Sequence, residues 1–111
     1  MRRTDALGIP YGVKQAVAYR DSVEGWPCCV LCGRPAPSRA PLTFSCAHYI
    51  ARSQGGLGIE ENIVTLCPAC HREYDQTDQR MVLRPILARH LREHYKGWTE
   101  DQLTYKKEGY L

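Results

Sequence analysis

Cys46-Ala47-His48-Tyr49-Ile50-Ala51-Arg52-Ser53-Gln54-Gly55-Gly56, followed by Asn62 and then by Cys67-Pro68-Ala69-Cys70-His71, is the stretch that decides the fold. Its closing C-x2-C pair has a counterpart upstream in Cys29-Val30-Leu31-Cys32. Thiolates paired at this spacing form two knuckles, and four sulfurs in a tetrahedral array are what Zn2+ favours in a site closed to catalysis. Gly33, directly after the first pair, supplies a turn in which backbone N–H groups can point at sulfur. Cys28 would stand at x3 spacing from Cys32, but the Gly33 knuckle favours Cys29 as the ligand. Cys28 and Cys46 read as small buried apolar residues. A zinc held by Cys29, Cys32, Cys67 and Cys70 draws His48, Asn62 and His71 into one loop closure and leaves those three for chemistry.

The 111 residues suffice for one domain. A chain this short buries a modest fraction of its surface, so a metal staple contributes materially to its stability, and metal-binding free energy becomes folding free energy. Met1-Arg2-Arg3-Thr4-Asp5-Ala6-Leu7-Gly8 is followed by no apolar core of signal-peptide length, and no later stretch approaches a membrane span. The expected compartment is the cytoplasm, where thiols stay reduced and C-x2-C pairs favour metal over disulfide. A net charge of +3 is compatible with a polyanionic partner without establishing one. Placement carries more: Arg34 and Arg39 follow the first cysteine pair, Arg52 sits in the histidine loop and Arg72 follows His71. Arg52 and Arg72 are the candidate phosphate contacts.

Periodicity organises the rest. After the breakers Pro10 and Gly12, a short amphipathic helix is expected over 13–22, ended by Gly25 and Pro27. Pro35, Pro37 and Pro41 stiffen a connector. Leu42, Phe44, Cys46, His48 and Ile50 alternate as in a strand over 42–50, and Asn62-Ile63-Val64-Thr65-Leu66 is a second β-branched run; together they form a hairpin-like unit around the irregular Gly55-Gly56-Leu57-Gly58 loop. Pro68 suits the first turn of a helix that puts His71 and Asp75 one turn apart on one face. Further helices are expected over 85–96 and 100–107, the last opened by a Thr99-Glu100-Asp101-Gln102 capping box. The expected class is α+β, a single domain over 1–111 with its core at about 26–77.

The order His48, Asn62, His71, with Gly55-Gly56 in the loop and Leu66-Cys67-x2-Cys70-His71 at its end, resembles the HNH endonuclease family in the variety that carries a four-cysteine zinc site. The resemblance implies a zinc-stapled ββα-metal (His-Me finger) core with flanking helices that cuts nucleic acid using one divalent cation. It carries over His48 as general base, Asn62 as its positioner and His71 as a ligand of the catalytic cation, Mg2+, Mn2+ or another divalent ion. The chemistry of the residues agrees, since imidazole titrates near neutrality and can take a proton from water, whereas an amide can only orient. The sequence departs from the family at Ala47, where an Asp or His commonly binds the metal; Asp75, one turn from His71, offers a replacement ligand.

The expected substrate is double-stranded DNA cut with low sequence specificity, and no membrane is implicated. The resemblance to phage and bacterial proteins implies a bacterial or phage-infected host cell and phage packaging or recombination proteins as partners. The alternative is a catalytically degenerate zinc-stabilised module that binds nucleic acid without cutting it. A third pattern, His90-Leu91-Arg92-Glu93-His94, fits the H-x-x-E-H of inverted zinc proteases, but an amphipathic helix produces so short a match easily.

Overall fold

In the computed structural model, which describes residues 2–40 and 43–106, the chain runs through α1 (Arg3–Leu7), α2 (Tyr11–Arg20), β1 (Ser22–Val23), β2 (Trp26–Pro27), β3 (Ser45–His48), β4 (Ile63–Leu66), α3 (Pro68–Gln76) and α4 (Arg80–His94). Single 3-10 turns stand at Arg52–Gln54, Glu60–Asn62 and Glu100–Gln102. Among the described residues the strands make two antiparallel pairs, β1 with β2 and β3 with β4. This is the α+β class expected from the sequence.

The β3–β4 hairpin is the centre of the molecule. Ser45 lies opposite Leu66, Cys46 opposite Thr65, Ala47 opposite Val64 and His48 opposite Ile63. All of Ile63-Val64-Thr65-Leu66 is buried, because α2 packs on this strand as well as α3. A β-branched run covered on both faces needs no polar alternation. Tyr49, Leu66, Tyr74, Leu87, Leu91, Trp98 and Leu103 belong to the core that α3, α4 and the C-terminal segment close over the hairpin.

A charged hub fastens α2 to this core. Arg20 grips Asp21 through two bonds, Nε to Oδ1 at 2.7 Å and Nη2 to Oδ2 at 2.9 Å, while its remaining N–H groups reach the carbonyls of Glu60 at 2.9 Å and Ile63 at 2.7 Å. Asp21 also accepts from the backbone N–H of Thr65 at 2.9 Å and pairs with His90 Nε2 at 2.7 Å. A carboxylate taken out of water is tolerable only when so fully bonded. Burial pushes the Asp21 carboxyl up, but His90, Arg20 and the Thr65 amide outweigh it and hold it below the usual carboxylate range. His90 is therefore a structural partner of Asp21 and Glu93 pairs with Arg89 at 3.2 Å, so the H-x-x-E-H pattern lies on a helix face and gathers no metal cluster among the described residues.

Several element boundaries differ from the sequence reading. The helix expected over 13–22 runs over Tyr11–Arg20 and stops where Asp21 turns inward to the hub. The one expected over 85–96 begins at Arg80 and carries Pro85 inside it. That proline removes the bond to the Met81 carbonyl, which water can satisfy because Met81 is 76% exposed. No helix spans 100–106: the Glu100 carboxylate is taken by the Tyr49 hydroxyl and by Arg84, and the chain beyond it pairs with the glycine loop, Leu57 N–H to the Leu103 carbonyl and Tyr105 N–H to that of Gly55, both at 2.8 Å. Residue 107 of that expected helix, and Leu42 of the expected strand, lie outside the described residues. Helix α1 has no counterpart in the sequence reading.

Candidate active site

The four cysteines of the two knuckles meet. The sulfurs of Cys29, Cys32, Cys67 and Cys70 all lie within 4.8 Å of one another. The first knuckle is closed by Gly33, at φ 77°, whose N–H donates to the Cys29 carbonyl at 2.9 Å, and is tied to β4 by Val30 N–H to the Thr65 carbonyl at 3.0 Å. The second opens α3: Cys67 is its N-cap, and Cys70 N–H points at the Cys67 sulfur at 3.5 Å. Sulfurs held at about 2.3 Å around a tetrahedral zinc stand about 3.8 Å apart. Cys32 and Cys67 are 3.8 Å apart, so the donor set can hold a metal ion such as zinc. Burial and hydrogen bonds with Cys67 and Cys29 push the Cys70 thiol far up, whereas at Cys67 the bonds from Cys70, Cys32 and Cys29 outweigh burial and bring it to about 7. Sulfurs this crowded cannot all ionise without a cation among them. Cys28 and Cys46 stand outside the cluster; the Cys28 thiol donates to the Trp26 carbonyl at 3.3 Å, and burial pushes the half-buried Cys46 up.

One residue past Cys70, His71 faces Asp75 across a turn of α3, Nε2 to Oδ2 at 2.8 Å. Ligand atoms on adjacent corners of an octahedral cation at about 2.1 Å stand about 3 Å apart, so a divalent ion fits between the two with little movement. Imidazole and carboxylate suit a borderline or hard ion, unlike the sulfur cluster. The other ring nitrogen, Nδ1, is 2.6 Å from Ser45 Oγ on β3, and Asp75 Oδ1 accepts from Arg80 Nη1 at 3.2 Å. Ser45, Pro68, His71, Arg72, Asp75 and Gln76 line the open cavity there. Ala47 is 1% exposed against Val64, filling hairpin core at the position where the resemblance implies a ligand.

His48 ends β3, three residues after Ser45. Its Nε2 is 2.9 Å from the Leu7 carbonyl. A carbonyl can only accept, so Nε2 carries the hydrogen and Nδ1 is the basic nitrogen of the neutral ring. Burial holds the imidazole below its ordinary 6.5; the Leu7 carbonyl opposes this, the Arg52 cation and His71 add to it, and Asp75 works against them. Asp75 and His71 are thus near enough to His48 to bear on its proton affinity.

Asn62 bonds the loop backbone and not the imidazole ring. Fully buried, it accepts from Ile50 N–H at 2.8 Å through Oδ1 and donates through Nδ2 to the carbonyls of Ile50 at 3.2 Å and Leu57 at 2.9 Å; its own carbonyl accepts from Tyr49 N–H at 2.7 Å. It pins both ends of the loop that leaves His48. The loop can close because Gly56 has no side chain: a Cβ there would fall 1.7 Å from the Ile50 carbonyl oxygen. Arg52 and Arg72 are exposed, Arg52 in the turn of this loop and Arg72 at the cavity.

Two residues of the site escaped the sequence reading. Ser45 was legible only as the strand neighbour two positions before Ala47. Arg80 had no signal at all, yet its guanidinium stacks 4.1 Å over Tyr74 and donates to the carbonyls of Tyr49 at 2.8 Å and His48 at 3.4 Å as well as to Asp75, tying the strand of one histidine to the carboxylate beside the other.

Residues 29–77 match the family model of the HNH endonuclease. The matched segment holds the four cysteines, His48, Asn62, His71 and Asp75, and it leaves out α1, α2 and α4. No curated protein matches the chain. The match points to nuclease-type chemistry on a nucleic acid, and no helix among the described residues is long and apolar enough to cross a membrane.

Proposed function

We propose that the protein is a metal-dependent endonuclease that hydrolyses phosphodiester bonds of double-stranded DNA with low sequence specificity. The observation that carries the reading is the commitment of His48 Nε2 to the Leu7 carbonyl, which leaves Nδ1 as a base on the strand whose Ser45 bonds His71. His48 takes a proton from the attacking water through Nδ1, and its lowered proton affinity keeps it neutral and ready at physiological pH. His71 Nε2 and Asp75 Oδ2 hold the divalent cation, Mg2+ or Mn2+ being suited to an oxygen-rich shell. Once bound, that ion neutralises charge on the phosphate and on the leaving oxygen. Ser45 and Arg80 hold the two ligands in place from behind, Asn62 fixes the loop, and the exposed Arg52 and Arg72 receive phosphates. Cys29, Cys32, Cys67 and Cys70 would hold a structural zinc.

The buried Ala47 favours a second reading, a module that binds DNA but no longer cuts it. Nicking of supercoiled plasmid, with Mg2+ or Mn2+ titrated into protein that holds one zinc per chain, separates the two. Metal-dependent nicking lost in His48→Ala supports the enzyme; retardation of DNA without nicking in any divalent metal supports the module.

A further inference from the structure

The bond that decides which nitrogen of His48 is basic comes from outside the matched segment. The carbonyl of Leu7, last residue of α1, accepts from Nε2 at 2.9 Å. Five residues of helix do not hold themselves in place, and three contacts seat them on the glycine loop. Leu7 is buried, 2% exposed. Gly58 N–H donates to the Ala6 carbonyl at 3.0 Å, and the backbones approach so closely that a Cβ on Gly58 would lie 1.9 Å from the Gly8 oxygen. Arg3 reaches over to the Arg52 carbonyl at 3.3 Å, on the loop that Asn62 pins.

We infer that α1 is a positioning element of the active site: the Leu7 carbonyl locks the His48 ring in its Nε2–H form and aims Nδ1 at the attacking water, and Gly58 is kept bare so that α1 can approach. This rests on the nuclease reading. A ring without that acceptor is free to turn about its last torsion and to exchange tautomers, and a base displaced by an ångström loses rate on the order of 10²-fold. The titratable and charged groups that face His48 from the loop and from α3, Arg52, Asp75 and His71, do not select between its nitrogens as a directed bond does.

The test uses the full chain loaded with its cysteine-held metal. Long-range proton–nitrogen NMR on 15N-histidine protein reads the tautomer of His48 directly, and plasmid nicking reads kcat and KM. Gly58→Ala should expel α1, detectable as faster hydrogen exchange at the amide of residue 58, and Leu7→Ala should loosen it by a separate route. Gly8→Ala is the control, because its Cβ would meet only ordinary contacts, 3.7 Å to the Thr4 carbonyl oxygen. Expected are a single Nε2–H form in the wild type and in Gly8→Ala, a tautomer mixture in the other two, and kcat down on the order of 10²-fold with KM and bound metal unchanged. An Nδ1–H wild type, or full activity in either variant once the helix is loose, overturns the inference. An inactive wild type that still holds the Nε2–H form would instead overturn the nuclease reading while supporting the contact.

Discussion

Asn62→Asp should make folding acid-favoured, against the trend for carboxylates in folded proteins. Oδ1 of Asn62 accepts from Ile50 N–H, but Nδ2 donates to two carbonyls, those of Ile50 and Leu57, at a site with no exposure. An ionised carboxylate would aim oxygen at oxygen, so the folded chain keeps the new group protonated and its folded pKa is raised. The sign follows: stability is complete below the unfolded value of about 3.9 and is lost as pH climbs toward the folded one, at about 1.4 kcal/mol per unit. Between pH 5 and pH 7 the deficit against wild type should grow by about 3 kcal/mol, reaching about 4 kcal/mol at pH 7. A further ~1 kcal/mol is constant, because one acid proton serves only one of two carbonyls. Domains of this size hold about 5–15 kcal/mol in all, so the variant should remain foldable in acid and be marginal at neutrality. Urea unfolding of metal-loaded protein, variant minus wild type at each pH, cancels the pH dependence of the cysteine cluster common to both. A difference that does not change between pH 5 and pH 7 would refute the assignment of the amide's two ends.

Other consequences are as open to measurement. Nicking should fall on the acid side with a midpoint below 6.5, since burial disfavours protonated His48; a midpoint above neutrality in a kcat–pH profile would exclude it as the base. Cys70→Ser should lose the tightly held metal and the cooperative thermal transition together, read by elemental analysis and circular dichroism, because the sulfur cluster opens α3. His90→Ala should destabilise by about 1.5–3 kcal/mol through the lost bond to the buried Asp21 carboxylate, yet leave metal content and nicking unchanged.

What the sequence made legible is what side-chain type dictates. Cysteine spacing announces itself because sulfur has few other reasons to recur in pairs, and the β-branched run at 63–66 can be little but a strand. Gly55-Gly56 marked a loop, although the reason for Gly56, its backbone passing against the Ile50 carbonyl, needed the fold. What stayed hidden depends on backbone acceptors and distant partners. Helix α1 is too short for an amphipathic repeat, and the carbonyl it contributes is common to every residue type. Arg80 works through the backbone carbonyls of His48, Tyr49 and Tyr74 and through the Asp75 carboxylate, none of which constrains its neighbours in sequence. Thr99-Glu100-Asp101-Gln102 misled for a related reason: local capping chemistry lost to the long-range pull of Tyr49 and Arg84 on Glu100.

The two candidate metal sites are chained rather than merely adjacent. Cys67 is at once a sulfur of the cluster, the residue after the last of β4 and the cap of α3, so a cation there fixes the strand and the helix at their junction. From that junction the helix turns His71 toward Asp75, and the strand register sets Ser45 opposite Leu66 and in reach of His71. The same register, followed three residues along β3, delivers His48 to Leu7. Hardness keeps the ions apart, thiolates selecting a soft or borderline ion and the imidazole–carboxylate pair a harder one. The dependence therefore runs one way. Stripping a metal held by the cysteines should dismantle the second site, whereas removing a hard cation from His71 and Asp75 should leave the scaffold standing to be refilled, so only the second experiment would separate chemistry from folding.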